Sequence, residues 1–294
     1  MWAVMDIGTN SCRLLLADCE EKTQRIQVFE KALIITRIGE GMNTANRFIS
    51  SVAMERTIQA LKKFSDIIGS YHIENVRIVA TQAVREALNK EELVNKIGIM
   101  FGWQLEIIQG KYEAELSYLG ATYELKSSVP PLIIDIGGGS TEFIYKGKKQ
   151  DVYVMSLPFG ALRILENPIN DEEMIELLTK GLGDASKFRD APLVAVGGTV
   201  TTIAAVKLEL VNYDANKVQG LKINIKEIMN IFKALSSIKP NERLEIPGIT
   251  GGREDIIISG MQILINIMKY LKRNELIISD YDLLQGLIYE TLER

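Results

Sequence analysis

The sequence predicts an α/β chain of two duplicated domains, each a sheet flanked by helices with a glycine-rich turn after its first strand. Three observations predict it. Residues 4–16, VMDIGTNSCRLLL, are matched in register by residues 133–145, IIDIGGGSTEFIY, so that Asp6 falls on Asp135, Ile7 on Ile136, Gly8 on Gly137 and Ser11 on Ser140. A second pair follows in the same order: VRIVATQAVREAL (76–88) and PLVAVGGTVTTIAAV (192–206) both run from an apolar strand through a small-residue turn into a helix. Between these pairs lie segments with helical apolar spacing, which supply the layers that cover each sheet.

Taken in order, each half opens as strand, Gly-loop, strand, turn, strand. The first copy runs through CRLLLAD, a polar EEKTQ and RIQVFEKALIIT; the second runs through TEFIYK, a polar GKKQ and DVYVMSL. Val52, Ile58, Leu61, Phe64, Ile67 and Ile68 give 51–69 a helical face, and further helices are expected over 83–100 and 112–125. In the second half they are expected over 171–182, 226–237, 254–272 and 281–292, the first of these opened by Asn170 and Asp171 with acidic residues in its first turn. Pro130-Pro131 cannot continue a helix, so the junction is placed at Lys126–Pro131. The domains are therefore expected at 1–125 and 126–294, with the C-terminal helix 281–294 as a candidate to complete the first.

Composition narrows the function. The 294 residues are 47% hydrophobic and 24% charged, enough apolar content for two full cores. A net charge of -4 and a pI near 5.4 argue against a surface built to neutralise nucleic acid. No apolar run is long enough to span a bilayer, and MWAVMDIGTN lacks the order of a signal peptide, so a cytoplasmic location without membrane attachment is expected. Cys12 and Cys19, the only cysteines, lie in an apolar run that reads as a buried strand. His72, the only histidine, falls in a connection between a helix and a strand, which excludes a histidine-rich metal site.

The Gly-loops carry the chemistry. A glycine-rich turn after a buried strand lets backbone N–H groups surround an anion, because no side chain stands in the way. No GxxxxGK[ST] occurs, and the chain after Gly139 enters a strand, not a helix, so the P-loop and the dinucleotide-binding fingerprint both fail. Phosphate-binding positions are assigned to Gly8, Thr9, Asn10, Ser11 and Arg13 in the first copy and to Gly137, Gly138, Gly139, Ser140 and Thr141 in the second. Gly197, Gly198 and Thr199 at the later turn join them by their duplicate position. Asp6 and Asp135 would repel the same anion, which calls for a divalent cation; hard oxygen ligands suit Mg2+, held by Asp135, Glu142 and Asp6 directly or through water. Lys146, Lys148 and Lys149 read as solvated charge at a hairpin turn and stay outside the site.

These residues together resemble the two-domain actin, sugar-kinase and Hsp70-like fold: duplicated ribonuclease H-like (actin-like ATPase) domains with mixed sheets flanked by helices and an interdomain cleft. More specifically, the chain resembles the exopolyphosphatase and guanosine pentaphosphate phosphohydrolase (Ppx/GppA) family. The likeness runs nearly end to end, through DIGTNSCRLLL, TRIGEGMNTANRF, ATQAVREALN, IIQGKYEAELSYLGA, LIIDIGGGSTEF, SLPFGALR, VAVGGTVTTIAA, IPGITGGREDIIISG and SDYDLLQGLIYE. It implies that Glu113 is the catalytic carboxylate that activates water and that Arg85 binds phosphate. It also implies Mg2+ dependence, inorganic polyphosphate or guanosine penta- and tetraphosphate as ligands, a homodimer, and the short form without a histidine-containing C-terminal domain. The family commonly has two acids before the alanine, where this chain has Tyr112 and Glu113. Two other readings stay open here: a small-molecule kinase of the same fold, and a guanosine-polyphosphate-binding regulatory module with little turnover.

Overall fold

The computed structural model describes residues 1–20, 25–43, 45–73, 75–123, 125, 129–147 and 152–293. The chain divides into two compact units, Met1–Gly120 with Leu283–Arg294, and Ala121–Asp282. Half of the expected junction, 126–128, lies outside the described residues, as do Lys148 and Lys149 and most of the polar turn 20–24.

The first unit carries β1 (Trp2–Ile7), β2 (Ser11–Glu20), β3 (Arg25–Ile35), β4 (Asn75–Ala80) and β5 (Leu105–Ile107), in the order β3-β2-β1-β4-β5. The first three strands are antiparallel, and β4 and β5 add in parallel to the other side of β1. Its helices are α1 (Ser51–Gly69), α2 (Gln82–Glu86), α3 (Lys90–Phe101) and α4 (Gly110–Thr122). The second unit carries β6 (Leu132–Ile136), β7 (Thr141–Lys146), β8 (Val152–Leu157), β9 (Leu193–Val196), β10 (Lys222–Asn224) and β11 (Glu275–Ile278), in the order β10-β11-β9-β6-β7-β8. Its helices are α5 (Ala161–Glu166), α6 (Asp171–Leu182), α7 (Gly198–Lys207), α8 (Ala215–Val218), α9 (Ile225–Ser236), α10 (Pro240–Arg243) and α11 (Ile257–Tyr270). The last helix, α12 (Leu283–Glu293), packs on β1 and β2 of the first unit.

The expected α/β class with mixed, helix-flanked sheets is what the chain forms, and the duplication extends to topology. The path β1, β2, β3, β4, β5 is retraced by β6, β7, β8, β9, β11, with β10 as an antiparallel addition at the edge. Strands buried on both faces read as continuous apolar runs, as in LIIDI and LVAV. The two cores are separate clusters, one centred on Met5, Leu14, Phe64 and Ile78, the other on Ile134, Phe143, Leu193 and Ile263. Helix α11 is buried nearly all round because α5, α6, α7 and α9 all pack on it.

Local signals explain the helix starts. Ser50 caps α1 by accepting from the N–H of Ala53, and Asn170–Glu173 and Asn224–Glu227 close reciprocal capping boxes at α6 and α9. One expectation needs correction: 83–100 is two helices. Ala87 turns extended, the N–H of Leu88 bonds the carbonyl of Arg47, and the Asn89 side chain clasps both backbone groups of Ile49 at 2.9 and 3.0 Å. Those long-range bonds outcompete the helical ones at 87–89. Cys12 is fully buried in β2, and His72 is exposed between α1 and β4; the side chain of Cys19 is outside the described residues.

Candidate active site

The paired Gly-loops have the same backbone construction. In the first unit the N–H of Gly8 bonds the carbonyl of Ser11 at 3.0 Å, and in the second the N–H of Gly137 bonds the carbonyl of Ser140 at 3.0 Å. Each closes an antiparallel hairpin, β1–β2 and β6–β7, and each sets one acid directly opposite another residue: Asp6 faces Arg13, and Asp135 faces Glu142.

Each loop is also braced from behind. The N–H groups of Thr36 and Arg37 bond the carbonyl of Asn10, and that of Gly39 bonds the carbonyl of Thr9. In the second unit the segment Phe159–Arg163 does this work: the N–H groups of Ala161, Leu162 and Arg163 bond the carbonyls of Gly137 and Gly138 at 2.9–3.0 Å. A Cβ on Gly160 would stand 2.6 Å from the Gly138–Gly139 peptide, so only glycine permits this approach. With their carbonyls held to the brace, the loops have N–H groups at Thr9, Asn10, Gly138, Gly139 and Ser140 that make no backbone bond among the described residues, as an anion cradle requires.

The cross-strand pairs are electrostatically unlike. Arg13 donates to Asp6 through Nε at 3.0 Å and Nη2 at 2.7 Å, so the acid assigned above to a metal holds an arginine, and the arginine assigned to phosphate is partly committed to that acid. Asp135 and Glu142 place two carboxylates opposite each other, an unfavourable arrangement unless a cation or donors intervene. Ser156 supplies one donor, to Glu142 Oε1 at 2.6 Å. Asp135 Oδ1 is aimed at Gly197, where a Cβ would lie 3.0 Å away and where φ is +92°, so glycine is required there for both reasons.

Among the described residues, no group of three or more His, Cys, Asp or Glu side chains is arranged to hold a metal ion. A hard divalent ion that keeps several waters and binds substrate phosphates needs only one or two carboxylates, and the Asp135–Glu142 pair fits that donor set.

The remaining candidates divide by environment. Asn10 is 6% exposed, and neither polar atom of its side chain has a hydrogen-bond partner among the described residues. Thr141 is fully buried with its hydroxyl donated to the carbonyl of Phe159 at 2.7 Å, so its side chain braces the loop. Thr199 is also buried, packed where a Cβ on Gly260 would meet it at 2.4 Å. Arg85 on α2 donates Nη1 to the carbonyl of Ile108 at 2.8 Å and to Glu113 Oε2 on α4 at 2.9 Å, each side chain about one-fifth exposed. The two residues singled out for chemistry thus meet as an ion pair within the first unit.

The model of the Ppx/GppA phosphatase family matches residues 19–294. The chain belongs to the Ppx/GppA phosphatase family. That membership makes it a hydrolase of phosphoanhydride bonds. It is 29% identical to exopolyphosphatase 2 of Mycobacterium tuberculosis, over 97% of this chain and 96% of that one. It is 33% identical to a bifunctional 3-dehydroquinate synthase/phosphatase of Fusobacterium nucleatum over 99% of this chain, which spans 46% of the length of that relative. Among solved structures, the Aquifex aeolicus Ppx/GppA family member superposes with a TM-score of 0.79 at 29% identity, covering 99% of this chain and 97% of that one. An exopolyphosphatase from Cytophaga hutchinsonii gives a TM-score of 0.87 at 26% identity, covering 99% and 97%.

Tyr112, where the Ppx/GppA pattern has a second acid, is held by partners other than the Arg85–Glu113 pair. Its hydroxyl donates to Glu290 of α12, 2.5 and 2.6 Å from the two carboxylate oxygens, and accepts from Arg77 Nη2 at 3.0 Å. Arg77 also binds Glu106 through two nitrogens and Glu290 through a third. Burial and the Glu290 bond hold the Tyr112 phenol above its ordinary pKa, so it remains a donor. Arg253 was not singled out from the sequence, yet its guanidinium lies against Gly198, where a Cβ would fall 1.9 Å from Nη1. GITGGRED carried the glycines that mark a loop, but nothing in one sequence says which turn that loop covers.

Proposed function

We propose that this chain is a Mg2+-dependent phosphohydrolase that releases terminal orthophosphate from inorganic polyphosphate, from guanosine pentaphosphate, or from both. The observation that carries the reading is the Arg85–Glu113 pair: one guanidinium on the short helix α2, which follows the strand beside the braced first Gly-loop, and one carboxylate in the first turn of α4, both partly exposed. The exopolyphosphatase relative of matching length supports the polyphosphate arm.

Hydrolysis needs a base for water, countercharge on the phosphoryl oxygens and a held leaving group. In this reading Glu113 accepts a proton from water as its oxygen bonds to the terminal phosphorus, and the bond from phosphorus to the bridging oxygen breaks. Orthophosphate and a chain one unit shorter result. Arg85, which donates to Glu113, would orient that carboxylate and neutralise a non-bridging oxygen. Within the first unit, the N–H groups of Thr9 and Asn10 and the Asn10 amide are suited to further phosphoryl oxygens; within the second, the N–H groups of Gly138–Ser140 are, with the positive charge of Arg253 beside Gly198. Mg2+ held by Asp135 and Glu142 would supply charge to the phosphate oxygens.

The test measures orthophosphate released from long-chain polyphosphate and from guanosine pentaphosphate, with Mg2+ and with chelator. Release should require Mg2+, and Glu113→Gln should lower kcat by about 10²–10⁴-fold with the melting temperature unchanged. No release from either substrate, or ADP formation that depends on an added acceptor, would sink the reading.

A further inference from the structure

We propose that Gln82 is the residue that orients the attacking water, as the second hydrogen-bond acceptor beside Glu113; this rests on the hydrolase reading above. Gln82 opens α2 and is only 8% exposed. Its Nε2 donates to Glu86 Oε1 at 2.9 Å. That bond fixes the amide, because the flipped orientation would set a carbonyl oxygen against a carboxylate. The other end of the amide, Oε1, is buried with no hydrogen-bond partner among the described residues. A buried acceptor left unsatisfied costs about 1–3 kcal/mol, so a donor must come from what binds there.

The chemistry of the atom restricts the donor. Oε1 only accepts; the internal phosphates of a polyphosphate chain are fully ionised at neutral pH, and a divalent cation on the weakly acidic terminal group favours its ionised form too. A phosphate group therefore does not satisfy Gln82, but water does. Its position points to the reacting water. The N–H of Thr81, one residue before, bonds the carbonyl of Ile7 at the mouth of the first Gly-loop. Gly39 packs between Thr9 of that loop and Ala83, one residue after, with a would-be Cβ 2.5 and 3.3 Å from their side chains. Arg85, three residues on, lies on the neighbouring helical face and holds Glu113. Gln82 thus lies on the short segment, 81–85, that joins the cradle at one end to the partner of Glu113 at the other.

Water held by two acceptors has both hydrogens committed and a lone pair directed at phosphorus. One proton passes to Glu113 as the new P–O bond forms and the bridging P–O bond breaks. The other, hydrogen-bonded to Gln82, stays on the new phosphate oxygen, so Gln82 orients without titrating. Orientation of this kind contributes to the rate and not to substrate affinity.

Gln82→Met keeps the volume and removes the acceptor. On polyphosphate it should lower kcat at least 10-fold while KM stays within twofold and the melting temperature does not fall. Gln82→Asn, whose oxygen is drawn back by one methylene, should lose kcat in the same way. A kcat within twofold of wild type, a KM that rises in step with the loss, or failure of both variants to fold overturns the assignment. If the wild type releases phosphate and Glu113→Gln does not, an active Gln82→Met refutes this inference alone; an inactive wild type refutes the hydrolase reading and this inference with it.

Discussion

At the scale of single residues, burial decides which groups are chemically available. Cys12 is fully buried behind the first Gly-loop; burial first, and the nearby Asp6 charge to a smaller degree, push its thiol up to about 12, against the opposing contact with Thr36. The thiol therefore stays protonated and unreactive in the folded chain. Native protein treated with iodoacetamide at pH 8 should leave the Cys12 peptide unmodified, and denatured protein should not. The sign for stability follows from the raised value: the contribution is complete below the ordinary 9.0 and is lost as pH climbs towards about 12. Denaturation midpoints should accordingly fall above pH 9, and Cys12→Ala should flatten that fall. Asp6 and Arg13 illustrate the same principle in reverse, since an acid 3% exposed is tolerable because a guanidinium is held against it.

At the scale of elements, the Gly-loops work because something holds their carbonyls. In the second unit that brace is α5, whose first N–H groups are committed to Gly137 and Gly138. Gly160→Ala forces a methyl into a backbone that cannot yield without moving the loop, and should cost about 1–3 kcal/mol or more. Gly69→Ala, in open space at the end of α1, should be neutral or stabilising by up to about 1 kcal/mol. Thermal melts of the two variants check the contrast, and phosphate release should fail only in the first. Little of this was legible beforehand. The strand–loop–strand pattern around Asp135 is local and shows in the apolar alternation, whereas the contact of residue 160 with residue 138 depends on how a later turn packs. The break at 87–89 was hidden for the same reason: REALNK is a good helical string, and the bonds of Leu88 and Asn89 to Arg47 and Ile49 come from about 40 residues away.

At the scale of the whole molecule, the first unit is completed by residues from the far end of the chain. Leu283, Leu284, Leu287 and Ile288 on α12 are 6% exposed or less, and Gly286 crosses α4 so closely that a Cβ would meet the carbonyl of Leu116 at 2.0 Å. At about 1.5–3 kcal/mol each, those four aliphatic side chains contribute an amount comparable to the roughly 5–15 kcal/mol stability of a domain. A chain ending at Asp282 should therefore lose the cooperative unfolding of the first unit, read by limited proteolysis that digests 1–120 and spares 121–282. Survival of a protected 1–120 fragment would contradict this. The clamp of Arg77, Glu106, Tyr112 and Glu290 reinforces the same junction and sets the rotation of α4, the helix that carries Glu113.

The sequence by itself determined the two hairpins with their glycine turns, the duplicated order of strands and helices, and the residue types able to bind phosphate, because these rest on local conformation and on short-period apolar pattern. Only the tertiary structure decided that Asp6 holds Arg13 while Asp135 faces Glu142, that Tyr112 turns to Glu290 while Glu113 turns to Arg85, and that Gln82 keeps a buried acceptor without a partner among the described residues. Those outcomes depend on which neighbour across the fold meets each side chain, and the free energy of a buried charge or amide is set by that neighbour and not by its own residue type.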